Sequence, residues 1–342
     1  MKHLIENYKS RLGSHCSSLQ MSNILRYYGM ELSEELCFGI GAGLGFIYRK
    51  AFNPARYFVL GRSDDLEEKI AYHLGGMAIP YTTDDNGRAW EEVKKLLDCD
   101  QPVIINVDAS YIPYLRQRFN LFDHVRYGGH RVTIIGYDDA EEVAFLSDYL
   151  WDKPQKVSYA ELEKARSSPT GQTPPDNLFY TFLFPREFIP LKEAIINGIR
   201  LNVHNMLHPW FEILGLPGLK KFCTRVTSWP RLMKPEMAME NAYMIYMMLE
   251  VVGTGGGNFR RLYARFLREA EAIVGDARLN PVYQIYADLG NRWKEIAFLM
   301  KESAENMAAG IWCNRPEINT LLEEVYQKEK QGINLLRELY YG

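Results

Sequence analysis

The sequence predicts an α+β protein in two parts: a first half mixing helices with antiparallel strands, and a second half of helices alone. Three observations carry this. Helical and β-type patterns succeed one another up to Phe188. Two of the β-type runs are joined by a short polar turn, DDAEE, of hairpin length. Past Pro190 every periodic segment has helical spacing. The division is therefore expected at residues 1–188 and 189–342.

The elements follow in order. Residues 15–28 place Met21, Ile24, Leu25 and Tyr28 at helical spacing, with Gly29 positioned as a C-cap. A glycine-rich segment, Gly39–Phe46, precedes an aromatic and β-branched run at Tyr57–Leu60. Asp64–Leu74 and Trp90–Leu97 read as amphipathic helices, and Pro102–Val107, His130–Tyr137 and Val143–Ser147 as strands. The last two flank DDAEE and form the hairpin; Phe179–Phe184 adds a further strand. The polar stretch Ser167–Asn177 reads as a surface excursion, with a lid beside a site as the alternative. Leu191–Leu207, Pro235–Val252, Phe259–Val274, Pro281–Ala308 and Pro316–Tyr340 are the expected helices of the second half, an all-α domain.

Composition narrows the function classes. Of the 342 residues 47% are hydrophobic and 24% charged, values of a globular chain that can bury a core. A net charge of -3 lacks the basic excess of a general nucleic-acid binder. Cys16, Cys37, Cys99, Cys223 and Cys313 are an odd, scattered set, which points to neither a disulfide framework nor a zinc site. A reducing, cytoplasmic setting is expected. The N-terminus has no signal-peptide core, and the apolar stretches are too short for a membrane span.

Three residues form a chemical constellation. Cys16 opens a helix just after Gly13 and Ser14, where the helix dipole and unpaired N–H groups favour thiolate and can cradle an oxyanion. His130 follows Gly128 and Gly129 and opens the first hairpin strand; Asp148 ends the second. Antiparallel pairing brings those two ends together, so the carboxylate can orient the imidazole and stabilise its cation. A lone cysteine is more often a small buried hydrophobe, and a lone histidine structural. The order cysteine at a helix mouth, then histidine and aspartate closing a hairpin, is what raises a nucleophile–base–orienter reading above those alternatives.

These residues carry a family resemblance. The run G-S-H-C-x-S-L-x-x-x-L-x-Y-Y-G, from Gly13 to Gly29, resembles the N-terminal domain of butirosin biosynthesis protein H. So do G-G-H-x-V-x-I-x-G-Y-D at Gly128–Asp138 and the pair Ser147–Asp148. Gly253–Ala270 (GTGGGNFRRLYARFLREA) resembles the helical domain that follows it in that family. The family is similar to papain-like cysteine enzymes, notably double-glycine leader peptidase domains. The resemblance implies a papain-like N-terminal domain with Cys16 as nucleophile, His130 as base and Asp148 as its orienter. It also implies an acyltransferase that moves an aminoacyl group from an acyl carrier protein thioester to a small-molecule amine, in secondary-metabolite biosynthesis. No cofactor is implied, the substrate arriving on the phosphopantetheine arm of the carrier. The glutamine that papain-like peptidases keep six residues before the nucleophile is here Ser10. The oxyanion donor is therefore expected from the Cys16 backbone N–H with Ser14, His15 or Gln20, and Gly129 is a further candidate beside the substrate. A hydrolase with the same triad and a non-catalytic binding module remain the alternatives.

Other features point elsewhere. GIGAGLG (Gly39–Gly45) and GTGGG (Gly253–Gly257) do not match a nucleotide-binding register and read as close backbone packing. His204 and His208 stand at i, i+4 without a third ligand, so a structural pair and no metal are expected. The Met233–Met248 stretch reads as core and Arg261, Arg265 and Arg268 as a solvated helix face. His3, His73 and His124 have no supporting context.

Overall fold

In a computed structural model of the chain, the structure describes residues 1–50, 57–119, 128–169, 173–306 and 317–341. Cys313, His124, residues 170–172 of the polar stretch, and the ends of two expected helices at residues 307, 308 and 316 lie outside them. The element order begins β1 (Lys2–Leu4), α1 (Cys16–Tyr27), α2 (Glu34–Ile40), β2 (Leu44–Lys50), β3 (Tyr57–Arg62) and α3 (Leu66–His73). It continues β4 (Met77–Tyr81), α4 (Asn86–Asp98), β5 (Val103–Val107), α5 (Pro113–Phe119), β6 (His130–Asp138), β7 (Val143–Ser147), β8 (Gln155–Ser158), α6 (Tyr159–Ser167) and β9 (Phe179–Leu183). Helices follow: α7 (Leu191–Leu207), α8 (Gly215–Arg225), α9 (Trp229–Leu232), α10 (Pro235–Tyr246), α11 (Arg260–Val274), α12 (Leu279–Glu305) and α13 (Ile318–Tyr340). The fold is α+β, with an antiparallel sheet in the first half and helices in the second.

Two compact units emerge, and each runs over two stretches of chain. The first is Met1–Cys37 with Leu74–Phe188; the second is Phe38–His73 with Ile189–Gly342. The chain crosses between them three times, after Cys37, after His73 and after Phe188. The segment Phe38–His73, expected in the N-terminal domain, belongs by its contacts to the helical unit. The reason is local: β2 and β3 form a separate two-stranded sheet outside the main one, and β2 bridges to the helical half through Ile47 and Leu214, where the Tyr48 N–H donates to the Ile213 carbonyl (2.8 Å).

The first unit is organised by a seven-stranded sheet in the order β4-β9-β5-β6-β7-β8, with β1 also on β6 and every pairing antiparallel. β5 is covered on both faces, and Val103, Ile104, Ile105 and Val107 are all buried; such a strand reads as an unbroken apolar run. α1 packs against β6. It is capped by His15, whose ring accepts the Ser18 N–H, and it ends as Gly29 takes φ +90°, a left-handed position that costs glycine nothing.

In the second unit the β2–β3 hairpin is locked to helices by one buried side chain. The Arg260 guanidinium donates to the Gly45 carbonyl (3.0 Å) and the Gly61 carbonyl (2.7 Å) and pairs with buried Glu329. The residues before α11 form a left-handed turn, with positive φ at Gly255, Gly256, Gly257, Asn258 and Phe259. Three glycines in a row make that turn accessible. Asn258 is accommodated because Gly61 has no Cβ, which would overlap its side chain. Gly39 is bare for the same kind of reason: a Cβ there would overlap the Phe266 ring. A Cβ on Gly257 would overlap the Gly290 backbone, so each glycine-rich segment contributes a close backbone contact. Among the described residues no helix is long and apolar enough to cross a membrane.

Candidate active site

The site assembles in the first unit from three chain boundaries. Before α1, Gly13 donates its N–H to the Tyr149 carbonyl (2.8 Å), tying the helix entry to the residue after Asp148. A Cβ on Gly13 would come within 2.7 Å of Leu19 and 2.9 Å of the Glu34 carboxylate, so only glycine lets Glu34 in. That carboxylate accepts the Ser14 N–H (2.9 and 3.0 Å to its two oxygens) and the His15 N–H. Cys16 is then the first helical residue, 8% exposed, in an apolar cluster with Leu19 and Tyr149 onto which Phe119 and Leu150 pack.

His130 begins β6, opposite Val107 of β5. The two preceding glycines admit a neighbouring chain segment. Gly129 has φ +85°, and a Cβ on Gly128 would overlap the Thr173 carbonyl. Asn106 holds the same segment through its amide, which donates to the Pro174 and Pro175 carbonyls at 3.4 and 3.5 Å. Part of the polar stretch expected as a surface excursion thus lies against the residues that lead into His130. The register of β6 with β7 pairs Thr133 with Ser147, which brings His130 and Asp148 to the same end of the hairpin. His130 Nε2 lies 3.0 Å from Asp148 Oδ2. His130 and Asp148 retain only 4% and 1% of their surface.

Two further donors fix the carboxylate. The Tyr149 N–H reaches Asp148 Oδ1 (2.7 Å), and the Tyr114 hydroxyl reaches Oδ2 (3.1 Å), the oxygen that also serves His130. With Nε2 turned to Asp148, Nδ1 is the ring atom left for Cys16, whose side chain hydrogen-bonds the imidazole. Burial disfavours the imidazolium, but the charge and hydrogen bond of Asp148, with those of Cys16, outweigh it; the His130 pKa is raised to about 10. Desolvation, then Asp148, pushes the Tyr114 phenol well above its ordinary value, so it stays a neutral donor.

The chain thus aligns Cys16, His130 and Asp148, the arrangement in which a base-activated sulfur attacks a carbonyl. The expected oxyanion donors fare differently. The Ser14 and His15 backbone N–H groups are taken by Glu34, and the His15 ring caps α1. Gln20 is fully buried, its Oε1 accepting from Thr133 Oγ1 (2.7 Å) on β6. Gly129 faces Thr173. Tyr114 and Glu34 escape a reading of the sequence, because neither sits in a recognisable motif. Away from the site, His204 Nδ1 lies 2.7 Å from the Tyr341 hydroxyl, with the His208 ring alongside. Among the described residues no three His, Cys, Asp or Glu side chains gather as metal ligands.

Comparison with known proteins adds two matches. The family described as "Butirosin biosynthesis protein H, N-terminal" matches residues 15–149, which hold Cys16, His130 and Asp148. The family described as "Domain of unknown function (DUF4872)" matches residues 160–336, more than half of the chain. No curated protein matches. The chain belongs to the DUF4872 family and carries ahead of that domain the N-terminal domain of the butirosin biosynthesis protein H family.

Proposed function

We propose that this protein is a cysteine-dependent acyltransferase of secondary-metabolite biosynthesis, with Cys16 as nucleophile, His130 as acid–base and Asp148 as orienter. The observation that carries the reading is the buried file Cys16–His130–Asp148, with 3.0 Å between the last two and the cysteine at a helix mouth. The donor is an acyl or aminoacyl thioester on the phosphopantetheine arm of an acyl carrier protein, and the acceptor is a small-molecule amine.

The steps use only these groups. Cys16 thiolate attacks the thioester carbonyl; the tetrahedral intermediate collapses as the C–S bond to the carrier arm breaks, and the His130 imidazolium gives its proton to the departing sulfur. An amine then attacks the acyl-Cys16 carbonyl and loses a proton to neutral His130. Cys16 leaves as thiolate, an amide is released, and the thiolate–imidazolium pair is restored. The Cys16 N–H at the start of α1 is the oxyanion donor in this reading, lying at the positive end of the helix dipole beside the attacking sulfur.

Intact-mass spectrometry after mixing with acyl-carrier thioesters tests this. The wild-type protein gains the acyl mass, Cys16→Ala does not, and the adduct is discharged by an amine but persists in buffer. An adduct that disappears equally fast in buffer points to hydrolysis. No adduct with any thioester, in protein whose Cys16 is alkylated by iodoacetamide, rejects carrier-thioester chemistry.

A further inference from the structure

Asp148 Oδ2 serves two donors, and this sets apart a residue outside the triad. The Tyr114 hydroxyl reaches it at 3.1 Å and His130 Nε2 at 3.0 Å. The other oxygen is held by the Tyr149 N–H, so the carboxylate cannot rotate away from either partner without losing a bond. Tyr114 is itself wedged: its ring stands edge-on to Trp151 at 4.7 Å, and the Trp151 backbone N–H donates to the Asp148 backbone carbonyl (3.2 Å). α5, which carries Tyr114, also sends Phe119 onto the cluster of Cys16, Leu19 and Tyr149. One short helix thus meets the site at both ends, at the carboxylate and at the apolar wall beside the sulfur.

We propose that Tyr114 is a positioning residue of the Cys16–His130–Asp148 site, whose hydroxyl fixes the direction of Asp148 and draws off part of the negative charge that His130 would otherwise feel. The inference rests on the proposed role of His130 as acid–base. That role needs an imidazole that both keeps and gives up its proton within one turnover. An aspartate bonded to His130 alone, in a buried site, holds the imidazolium too firmly for it to release its proton to the departing sulfur and so become the neutral base that the incoming amine needs. A second donor on the same oxygen weakens that hold, since a carboxylate that donates density to two hydrogen bonds attracts each proton less. Among the described residues, Cys16 from α1, Asp148 from the end of β7 and the Tyr149 ring at 5.7 Å face His130. Tyr114 acts on His130 only through Asp148, which makes its effect separable.

The test follows the titration of the His130 imidazole by NMR of ring-¹³C-labelled histidine, a readout that does not require Cys16 to acylate any substrate. In Tyr114→Phe the imidazole is expected to hold its proton to a pH higher by about half a unit to one unit, because the carboxylate loses its competing donor. Replacing Tyr114 by 3-fluorotyrosine, a stronger donor of the same shape, shifts the titration the other way and guards against a folding defect in the phenylalanine variant. In an Asp148→Asn background the Tyr114→Phe change no longer moves the titration. An unmoved titration in Tyr114→Phe, with thermal stability unchanged, overturns the proposal; so does an equal shift in the Asp148→Asn background. Either result leaves the mass-spectrometric test of acylation standing, and failure of that test leaves the Tyr114 coupling readable.

Discussion

Glu34 shows how a single side chain shapes the nucleophile's surroundings. A helix start offers backbone donors and a positive dipole end, and a carboxylate there is stabilised by both. Glu34 takes the Ser14 and His15 N–H groups, and it is nearly buried. It therefore holds the turn that delivers Cys16 while adding negative charge next to it. Two consequences follow for Glu34→Gln, which keeps one acceptor oxygen and removes the charge. Stability falls by about 1–3 kcal/mol, the usual range for a buried donor left imperfectly paired, as urea unfolding will measure. The acid limb of Cys16 alkylation moves to lower pH, because a like charge near the thiolate has gone. A limb that moves to higher pH instead would mean that Glu34 favours the thiolate. The legibility of such residues differs for a physical reason. Cys16, His130 and Asp148 each sit where an element begins or ends, and such boundaries leave local marks: glycines before the first two, a hairpin turn between the last two. Glu34 lies 20 residues from Ser14, and Tyr114 lies 34 from Asp148. Their roles arise only when distant segments meet, and no spacing rule announces that.

At the scale of elements, the strands that were visible are those whose neighbours bury them. β5, β6 and β7 lie inside the sheet and carry apolar runs. β4 is an edge strand with Pro80 in it, β8 spans Gln155–Ser158 on the opposite edge, and β1 covers only Lys2–Leu4. An edge strand needs neither an apolar run nor an unbroken set of N–H donors, so its pattern is weak. α8 was hidden because its first residues are Gly-Leu-Pro-Gly, which read as a turn; Gly215 takes φ +57° and Pro217 falls in the first turn, where a missing N–H does no harm. How short elements are held is visible at Asp139, just past β6. It accepts from Lys94 of α4 (2.7 and 2.9 Å), the N-terminal amine ahead of β1 (3.1 Å) and Tyr159 of α6 (2.9 Å). Lys94 is the main cause, against some desolvation, of an Asp139 pKa lowered to about 2. A carboxyl with a depressed folded-state pKa contributes stability that is present above its ordinary value of 3.8 and lost as pH falls toward 2. Asp139→Asn should therefore be less stable than wild type at neutral pH, with the gap closing between pH 4 and 2. Melting temperatures across that range will show it, and parallel curves would remove Asp139 from the acid response.

At the scale of the whole molecule, the helical unit is discontinuous in sequence, and this has an energetic consequence. Its helices run from Leu191 to Tyr340, yet their core is completed by Phe38–His73. Phe38 stacks on Phe259, Phe46 packs on Phe222 and Trp293, and Tyr48 packs on Trp229. Arg260 spends its guanidinium donors on the Gly45 and Gly61 carbonyls, and the Asn202 amide donates to the Leu44 carbonyl (2.7 Å). A fragment of residues 189–342 would expose those aromatic faces and leave buried donors without acceptors, at about 1–3 kcal/mol for each unpaired group. Three such groups match much of the about 5–15 kcal/mol by which an ordinary domain is stable. The fragment is therefore expected to keep helical far-UV circular dichroism but lose its near-UV aromatic signal and cooperative urea unfolding. Added in trans, a peptide of residues 38–73 should restore both in a concentration-dependent way, since binding only the folded form stabilises it. Cooperative unfolding of the fragment alone, unaffected by the peptide, would mean that the helices carry their own core and that the β2–β3 hairpin is merely laid upon it.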